Sequence, residues 1–416
     1  MNKILGIDFG TSNTTLAFWS DQKNAPEVIR AKNGEEKIPS LVYLGTPRQY
    51  GHAVSEILKN AQFESEEQQK KTSRLIIREI KMELMDNISF LACDGSDVSA
   101  CEIVRDFLSY LKQYAEEVQF YSPVEELHIS HPVIDSNAFT ETARKRLEEA
   151  AYDAGFAKVE LIEEPVAAAY GYIAQGSDVG ENVLVYDIGG GTLDLAYLSR
   201  DYKGVYRPVK TSSVPNCAGS DFDRLIYKYV ASKIPELEYD EKHLSFDVLT
   251  ACKNCKETLS SVEKSYWKGP RAVQFTRSEF ENLIRSKIQE SLKAAEDIFT
   301  NLQAEGKTID TFLLIGGSSR IPLIHEEFNR LYEEKRISCK PLATQIKDIA
   351  VALGTVCDPE KLQTLQLQRK EQELSKTAST NTVNQESGAD TNNAPSTSTS
   401  EWTVGKPKTV DLFEDF

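Results

Sequence analysis

The sequence predicts an α/β protein of two duplicated lobes around a central cleft. Three observations lead there. Short apolar runs of strand length alternate with stretches of helical periodicity. One unit, a strand delivering an Asp into a glycine-rich turn and a returning strand, occurs twice, 179 residues apart. The length of 416 residues suits two to three domains at roughly 150 residues each, enough to bury a large core without disulfide or metal staples.

The elements follow in order. Ile4–Asp8 is an apolar strand, and Thr14–Trp19 returns from it. Glu125–Ser130 is a second apolar strand leading into His131-Pro132. Ser136–Gly155 reads as a helix: Phe139, Ala143, Leu147, Ala150, Ala151 and Ala154 fall at helical spacing, and Gly155 is placed to stop it. Val159–Ile162 is a short strand. Pro165–Gly171 opens a further helix, with Pro165 suited to its first turn. Val183–Ile188 and Leu193–Leu198 form the second strand pair, around Gly189-Gly190-Gly191, and Phe312–Ile315 is a strand ending in Gly316-Gly317. The lobes are expected over 1–176, with 340–357 returning to this first lobe, and over 177–339. Residues 358–416 form a polar tail. Asp358–Leu374 has the makings of a short terminal helix, and the Ser/Thr/Asn/Gln-rich stretch 375–400 carries too little apolar surface to offset its ordering entropy. The ending, Asp411-Leu412-Phe413-Glu414-Asp415-Phe416, is read either as a solvated end or as a short partner-binding motif.

Charge and patterning exclude several classes. Forty-eight Lys and Arg against 64 Asp and Glu give a net charge of −16, the wrong sign for a sequence-independent nucleic-acid binder. No apolar run approaches the roughly 18 residues of a membrane-spanning helix. Met1–Asp8 runs straight into a strand without the pattern of a secretory signal. The seven cysteines (93, 101, 217, 252, 255, 339 and 357) are odd in number and scattered, the usage of a cytoplasmic protein with free thiols.

The chemistry lies in the repeat. Asp8-Phe9-Gly10-Thr11-Ser12-Asn13-Thr14-Thr15-Leu16-Ala17-Phe18 matches Asp187-Ile188-Gly189-Gly190-Gly191-Thr192-Leu193-Asp194-Leu195-Ala196-Tyr197, with Asp, Gly, Leu-Ala and an aromatic at the same offsets. Glycine turns allow close backbone approach, so successive N–H groups can hold phosphate oxygens. Thr11, Ser12 and Thr192 add donors without bulk, and the Asp residues suit Mg²⁺, which takes one or two carboxylates with waters and ligand phosphates. A single Asp-x-Gly turn is ordinarily a plain hairpin; two in one register predict nucleotide binding.

Other segments leave two readings open. In Glu163-Glu164-Pro165 a carboxylate is aimed into a cleft, or is simply an acidic residue favoured at a helix N-terminus. Lys81, taken alone, is a solvated helix lysine. Gly316-Gly317-Ser318-Ser319-Arg320 admits a flat or charged ligand, or is a turn. There is no P-loop pattern. Cys252 and Cys255 have zinc-knuckle spacing without a second pair and sit in a helical pattern with Leu249, Lys256 and Leu259, so they read as helix cysteines. His128 and His131 read as strand residues rather than metal ligands.

At these residues the sequence resembles the nucleotide-binding domain of the seventy-kilodalton heat-shock proteins, the DnaK-type chaperones of the actin-like ATPase fold. The matching stretches are Ile7–Asn13, Ile162–Ala169, Asp187–Asp194, Gly219-Ser220-Asp221-Phe222-Asp223 and Ile315–Pro322. They come in family order over roughly Met1 to Cys357. The resemblance implies ATP or ADP with Mg²⁺ in the cleft. Asp8, Asp187 and Asp194 would surround the metal or its waters. Gly10, Thr11, Ser12 and Asn13, with Gly189, Gly190, Gly191 and Thr192, would hold the β- and γ-phosphates. Lys81 would neutralise γ-phosphate charge, and Glu164 and Thr192 would orient the attacking water, with Asp187 and Asp194 counted among the catalytic groups. Gly219, Lys256, Ser260, Gly316, Gly317, Ser318 and Arg320 would contact the nucleotide, and Asp348 would close the cleft from the first lobe.

Two departures stand out. The family carries Glu and Arg on the adenosine helix where this chain has Lys253 and Glu257. The family also continues into a peptide-binding β-sandwich and helical lid, which the polar residues after Cys357 are too poor in apolar content to form. The reading is therefore an ATP-binding, ATP-hydrolysing DnaK-type switch without its own peptide-binding domain, acting through partner proteins (co-chaperone or client), with no nucleic acid or membrane among them. Its alternatives are a small-molecule kinase on the same fold and a low-turnover nucleotide sensor or assembly protein.

Overall fold

The computed structural model describes residues 3–61, 63–134, 139–234, 237, 246–269, 271–335, 340–341, 348–369 and 371. Two mixed sheets dominate it. In the first, the order is Lys158–Glu163, Glu126–His131, Ile4–Phe9, Asn13–Ser20, Ala25–Ile29, with Ile38–Pro39 pairing separately onto Asn13–Ser20. In the second, it is Lys340–Pro341, Thr311–Ile315, Asn182–Ile188, Leu193–Arg200, Tyr206–Ser213. The two sheets share one plan. Each begins with an antiparallel meander of three strands, and the meander's first strand then accepts a parallel strand on its other side, followed by a second parallel strand.

The match extends to register. Gly6, Ile7, Asp8 and Phe9 lie opposite Ala17, Leu16, Thr15 and Thr14; Val185, Tyr186, Asp187 and Ile188 lie opposite Ala196, Leu195, Asp194 and Leu193. Adding 179 to any pair of the first hairpin yields the pair of the second. A one-residue slip would turn every buried side chain to the wrong face, so both hairpins are pinned by their cores. The central strands are buried almost throughout, as expected of sheets covered on both faces.

Helix Glu164–Ala174 and helix Ala350–Thr355 cross where the sheets meet. A Cβ on Gly171 would lie 2.0 Å from the Ala350 carbonyl oxygen, and one on Gly354 would lie 1.6 Å from that of Ala167. These two glycines let the backbones touch, and no larger residue fits either position. Around the crossing, an apolar cluster joins Ala167, Ala168 and Tyr172 to Val185 and Leu313 of the second sheet. The first and second lobes have their own cores on either side.

Some boundaries differ from expectation. The helix expected over Ser136–Gly155 runs Glu141–Asp153, because Thr140 caps it by accepting from the Ala143 N–H at 3.1 Å; residues 135–138 lie outside the described residues. Gly155 ends it at φ +90°. Lys340 and Pro341 pair with Thr311 and Phe312 in the second sheet, so the chain has not returned to the first lobe at residue 340. The terminal helix expected from Asp358 is present over 359–369 but is docked rather than free: Leu362 is buried in the cluster around the crossing helices. The stretch 375–400 and the acidic ending lie outside the described residues. Among the described residues no helix is long and apolar enough to cross a membrane.

Candidate functional site

The site is built from the two glycine turns. Ser40 braces the first: its Oγ donates to the Gly10 carbonyl at 2.7 Å and its N–H to that of Ser12 at 3.0 Å. In the second, the Gly189 N–H donates to Thr192 O at 3.0 Å. The Gly189 carbonyl accepts from the Gly219 N–H and from Ser318 Oγ, both at 3.0 Å, and the Gly190 carbonyl accepts from the Ser220 N–H at 2.7 Å. The two tips meet. A Cβ on Gly190 would lie 2.6 Å from Ser12 Oγ, and one on Gly191 equally close to Thr11 Oγ1. Only bare backbone from one lobe comes this near the hydroxyls of the other.

Behind the turns lie three carboxylates. Asp187 and Asp194 are directly opposite in the second hairpin and so share a face of its sheet. Asp8 holds the equivalent place in the first hairpin, where Thr15 stands opposite. Ser130 Oγ donates to Asp8 Oδ1 at 3.1 Å, and the Ser213 and Thr192 hydroxyls donate to Asp194. Asp194 Oδ2 is buried without a partner. Burial, with repulsion from Glu164, raises Asp8 and Asp194 to about 7. The same causes, joined by Asp194 and Asp8, push Asp187 well above the carboxylate range.

Lys81 and Glu164 complete this end. Lys81 Nζ lies 2.6 Å from Glu164 Oε1, and the lysine is 2% exposed. The solvated-helix reading of Lys81 is thus overturned: the lysine enters a single 3₁₀ turn, Met82–Leu84, that turns it inward. Glu164 satisfies both of its readings, being the first residue of helix Glu164–Ala174 and facing the cleft.

A cavity of about 1210 Å³ runs from this corner outward between the lobes. Every site residue expected from the sequence lines it except Gly191, which lies against Thr11, and Asp194, which is 3% exposed. One wall is helix Phe246–Leu259 with Ser260. The other is the 3₁₀ turn Gly317–Arg320, entered through Gly316 at φ +83°. Lys256 is tied into the wall, donating to the Gly219 carbonyl at 2.6 Å and lying 2.9 Å from Asp223 Oδ1. At the outer end Asp348 Oδ2 takes Lys37 Nζ from the first lobe at 2.7 Å and the Arg320 guanidinium from the second. Glu79 and Arg224 pair across the lobes at 3.4 Å.

Lys37, Thr15, Ser220, Asp223, His325 and Glu326 also line the cavity and carry no site role in the sequence analysis, although Thr15, Ser220 and Asp223 lie in its motifs. Thr15 was within reach, being the counterpart of Asp194 at the 179-residue offset. Lys37 has no such signal, since its partner in the cleft, Asp348, is 311 residues away in the sequence.

The donor set fits a hard divalent cation. Two buried carboxylates, Asp187 and Asp194, and the half-buried Asp8 have raised pKa values and one orphaned oxygen among them, an arrangement a cation relieves. Among the described residues no three His, Cys, Asp or Glu side chains are grouped so as to hold a metal ion. His128 and His131 are engaged elsewhere, with the Thr355 and Pro132 carbonyls. Cys252 and Cys255 are buried in the second lobe's core.

Comparison with known proteins adds a family. A family model described as Hsp70 protein matches residues 4–367. The chain is 29% identical over 344 residues to a protein named chaperone protein HscA homolog from Rickettsia akari (strain Hartford), covering 79% of this chain and 52% of that one. It is 28% identical over 367 residues to chaperone protein DnaK from Mycoplasma mobile, covering 85% and 57%. It is 29% identical over 345 residues to chaperone protein DnaK from Thermosipho africanus (strain TCF52B), covering 79% and 55%. The chain spans little more than half the length of these relatives.

Proposed function

This chain belongs to the Hsp70 protein family, and from that premise we propose that it is an ATP-binding, ATP-hydrolysing switch whose two lobes grip one nucleotide. The observation that carries the reading is the pair of hairpins in identical register, whose tips meet over a corner furnished by Asp8, Asp187, Lys81 and Glu164.

In this reading the backbone of the turns Gly10–Asn13 and Gly189–Thr192 cradles the β- and γ-phosphates, the Gly189 N–H being already given to the Thr192 carbonyl. Lys81 sets its ammonium against the γ-phosphate, and Glu164, held by Lys81, accepts a hydrogen bond from the attacking water and orients it with Thr192. Water adds to the γ-phosphorus as the bond to the β–γ bridging oxygen breaks, leaving ADP and inorganic phosphate. Such a reaction asks mainly for positioning and charge stabilisation. Asp8, Asp187 and Asp194 would hold Mg²⁺ through waters, and the ion would supply further neutralisation of phosphate charge. Asp348, between Lys37 and Arg320, would hold the lobes together over the bound nucleotide. Hydrolysis removes contacts that both lobes share, so the two nucleotide states favour different lobe arrangements, as a switch requires. Partner proteins (co-chaperones or clients) would read that difference in the cytoplasm.

The test is calorimetric titration of the purified chain with MgATP and MgADP, followed by single-turnover hydrolysis. Binding in a one-to-one ratio with release of phosphate is expected, and Asp187→Asn should abolish the release. Absence of binding at millimolar nucleotide would end the reading. Turnover that depends on an added small metabolite would move it to a kinase.

A further inference from the structure

A two-stranded hairpin of the second lobe presents a face that the proposed function leaves unused. Lys264–Lys268 pairs antiparallel with Ala272–Thr276, setting Lys264, Tyr266 and Lys268 opposite Thr276, Gln274 and Ala272. Side chains alternate between the two faces of such a strand. Trp267 and Phe275 turn inward and are fully buried in the second lobe's core, with Cys252 and Leu259 of helix Phe246–Leu259. Lys264, Tyr266 and Lys268 turn outward, and Tyr266 is 57% exposed. The outer face carries no carboxylate. Glu263 and Glu279, which flank the strands, are engaged, Glu263 by Arg277 at 2.7 Å and Glu279 by the Thr276 hydroxyl and N–H. Among the described residues neither Lys264 nor Lys268 has an ion-pair partner. The other exposed tyrosines among the described residues lack this frame of two lysines. Tyr152 adjoins Asp153, Tyr202 adjoins Asp201, and Tyr121 stands between Phe120 and Ser122. In a chain of net charge −16, a cationic face around an apolar ring attracts acidic groups.

We propose that this face receives the chain's own segment Asp411-Leu412-Phe413-Glu414-Asp415-Phe416. The match is one of pattern as well as charge. Asp411, Phe413 and Asp415 recur at the same two-residue spacing as Lys264, Tyr266 and Lys268, and alternate residues of an extended chain share a face. Laid extended across the hairpin, the segment sets two carboxylates against two ammonium groups. The Phe413 ring then meets the Tyr266 ring, in the offset or edge-to-face packing that aromatic pairs favour. Reach is not limiting. Residues 372–410 span up to about 130 Å when fully extended, against roughly 55 Å across a globular unit of the described length. Each contact is weak at a solvated surface, but a tether supplies the segment at a local concentration on the order of millimolar. The proposal stands apart from the nucleotide reading and uses none of its residues.

The experiment is carbodiimide cross-linking of the full chain at low salt, with the monomer band read by mass spectrometry. Amide links from Lys264 or Lys268 to Asp411 or Asp415 are expected. They should fall at least fivefold in about 0.5 M salt, which screens exposed pairs, and equally in Phe413→Ser. Links spread evenly over Asp411, Glu414 and Asp415, or over other lysines, overturn the docking, as do links found only between two copies. Lys264→Gln with Lys268→Gln removes the reactive amines, and both positions are exposed, so the hairpin's core is untouched. For that variant the readout is amide hydrogen exchange over 411–416. Exchange should be at least threefold slower in the parent chain than in the variant, and equal rates overturn the proposal.

Discussion

At the scale of single residues, the cleft concentrates charge that the fold must tolerate. Lys81 and Glu164 form a buried pair at 2.6 Å. Removing one partner of such a pair strands the other and costs about 3–5 kcal/mol in a dry setting, less here because Glu164 faces a cavity. Lys81→Ala should therefore lower the melting temperature by a few degrees and slow single-turnover hydrolysis at least a hundredfold, with nucleotide affinity changed far less. Adding Glu164→Gln should restore the melting temperature but not hydrolysis; a double variant as unstable as the single one would show that the pair is not the cause. Asp194 makes a pH prediction. Its carboxyl titrates near 7 in the folded chain against an ordinary 3.8. Between those values the native state holds more protons than the unfolded one. The associated stability is full below about pH 4 and is lost as pH rises through about 7. His131, whose pKa burial lowers, works in the opposite direction, so the comparison must isolate Asp194. Without metal or nucleotide, the melting temperature should fall less steeply between pH 5 and 7.5 in Asp194→Asn than in the parent. Equal slopes would assign the effect elsewhere.

At the scale of elements, the hairpins were legible and their surroundings were not, for a physical reason. A strand buried on both faces and ended by Asp-x-Gly writes itself locally, so Ile4–Phe9, Asn182–Ile188 and their partners are readable from a few residues each. The shared offset of 179 then gives their register before any coordinate. Nothing local marks Ser40 as the brace of the first turn, or Lys37 as a cleft residue, because each acts through a contact with a distant segment. Helix Ala350–Thr355 is a six-residue case of the same kind: its apolar run reads as core, but its partner helix does not follow from it. The crossing it makes is sharply testable. Gly171→Ala places a Cβ 2.0 Å from the Ala350 carbonyl oxygen, and backbone on both sides leaves nothing flexible to yield. The variant should lose several degrees of melting temperature, the usual result of overpacking by one carbon, about 1–3 kcal/mol. Single-turnover hydrolysis should slow as well, because Glu164 rides at the other end of the displaced helix. Unchanged stability would mean that the helices do not touch in solution.

At the scale of the whole molecule, the helix over 359–369 sets how the lobes and the residues beyond them are joined. The sequence reading placed the fold's end near Cys357, because the segment's composition is polar. The structure gives those polar groups work: the Lys361 ammonium lies over the Trp19 ring of the first sheet at 4.0 Å, and Arg200 of the second sheet donates to Gln366 at 3.0 Å. Arg369 donates to the carbonyls of Ile173 and Ala174, each at 3.0 Å. The last of these contacts caps the C-terminus of the helix whose first residue is Glu164, where a cation is favoured. Burial of Leu362 contributes about 2 kcal/mol and the cap up to about 1 kcal/mol more. A chain ended after Cys357 should therefore melt about 5 °C or more below one ended after Glu371, and bind nucleotide more weakly, since the first lobe, the second lobe and the Glu164 helix each lose an anchor. A chain ended after Glu371 should melt within about 1 °C of the full one, since 375–400 holds little apolar surface to bury. Scanning calorimetry of the three lengths decides it: equal melting temperatures for the two truncations would make the docked helix an ornament of the fold, and a further drop only on removing 372–416 would place the anchor beyond it.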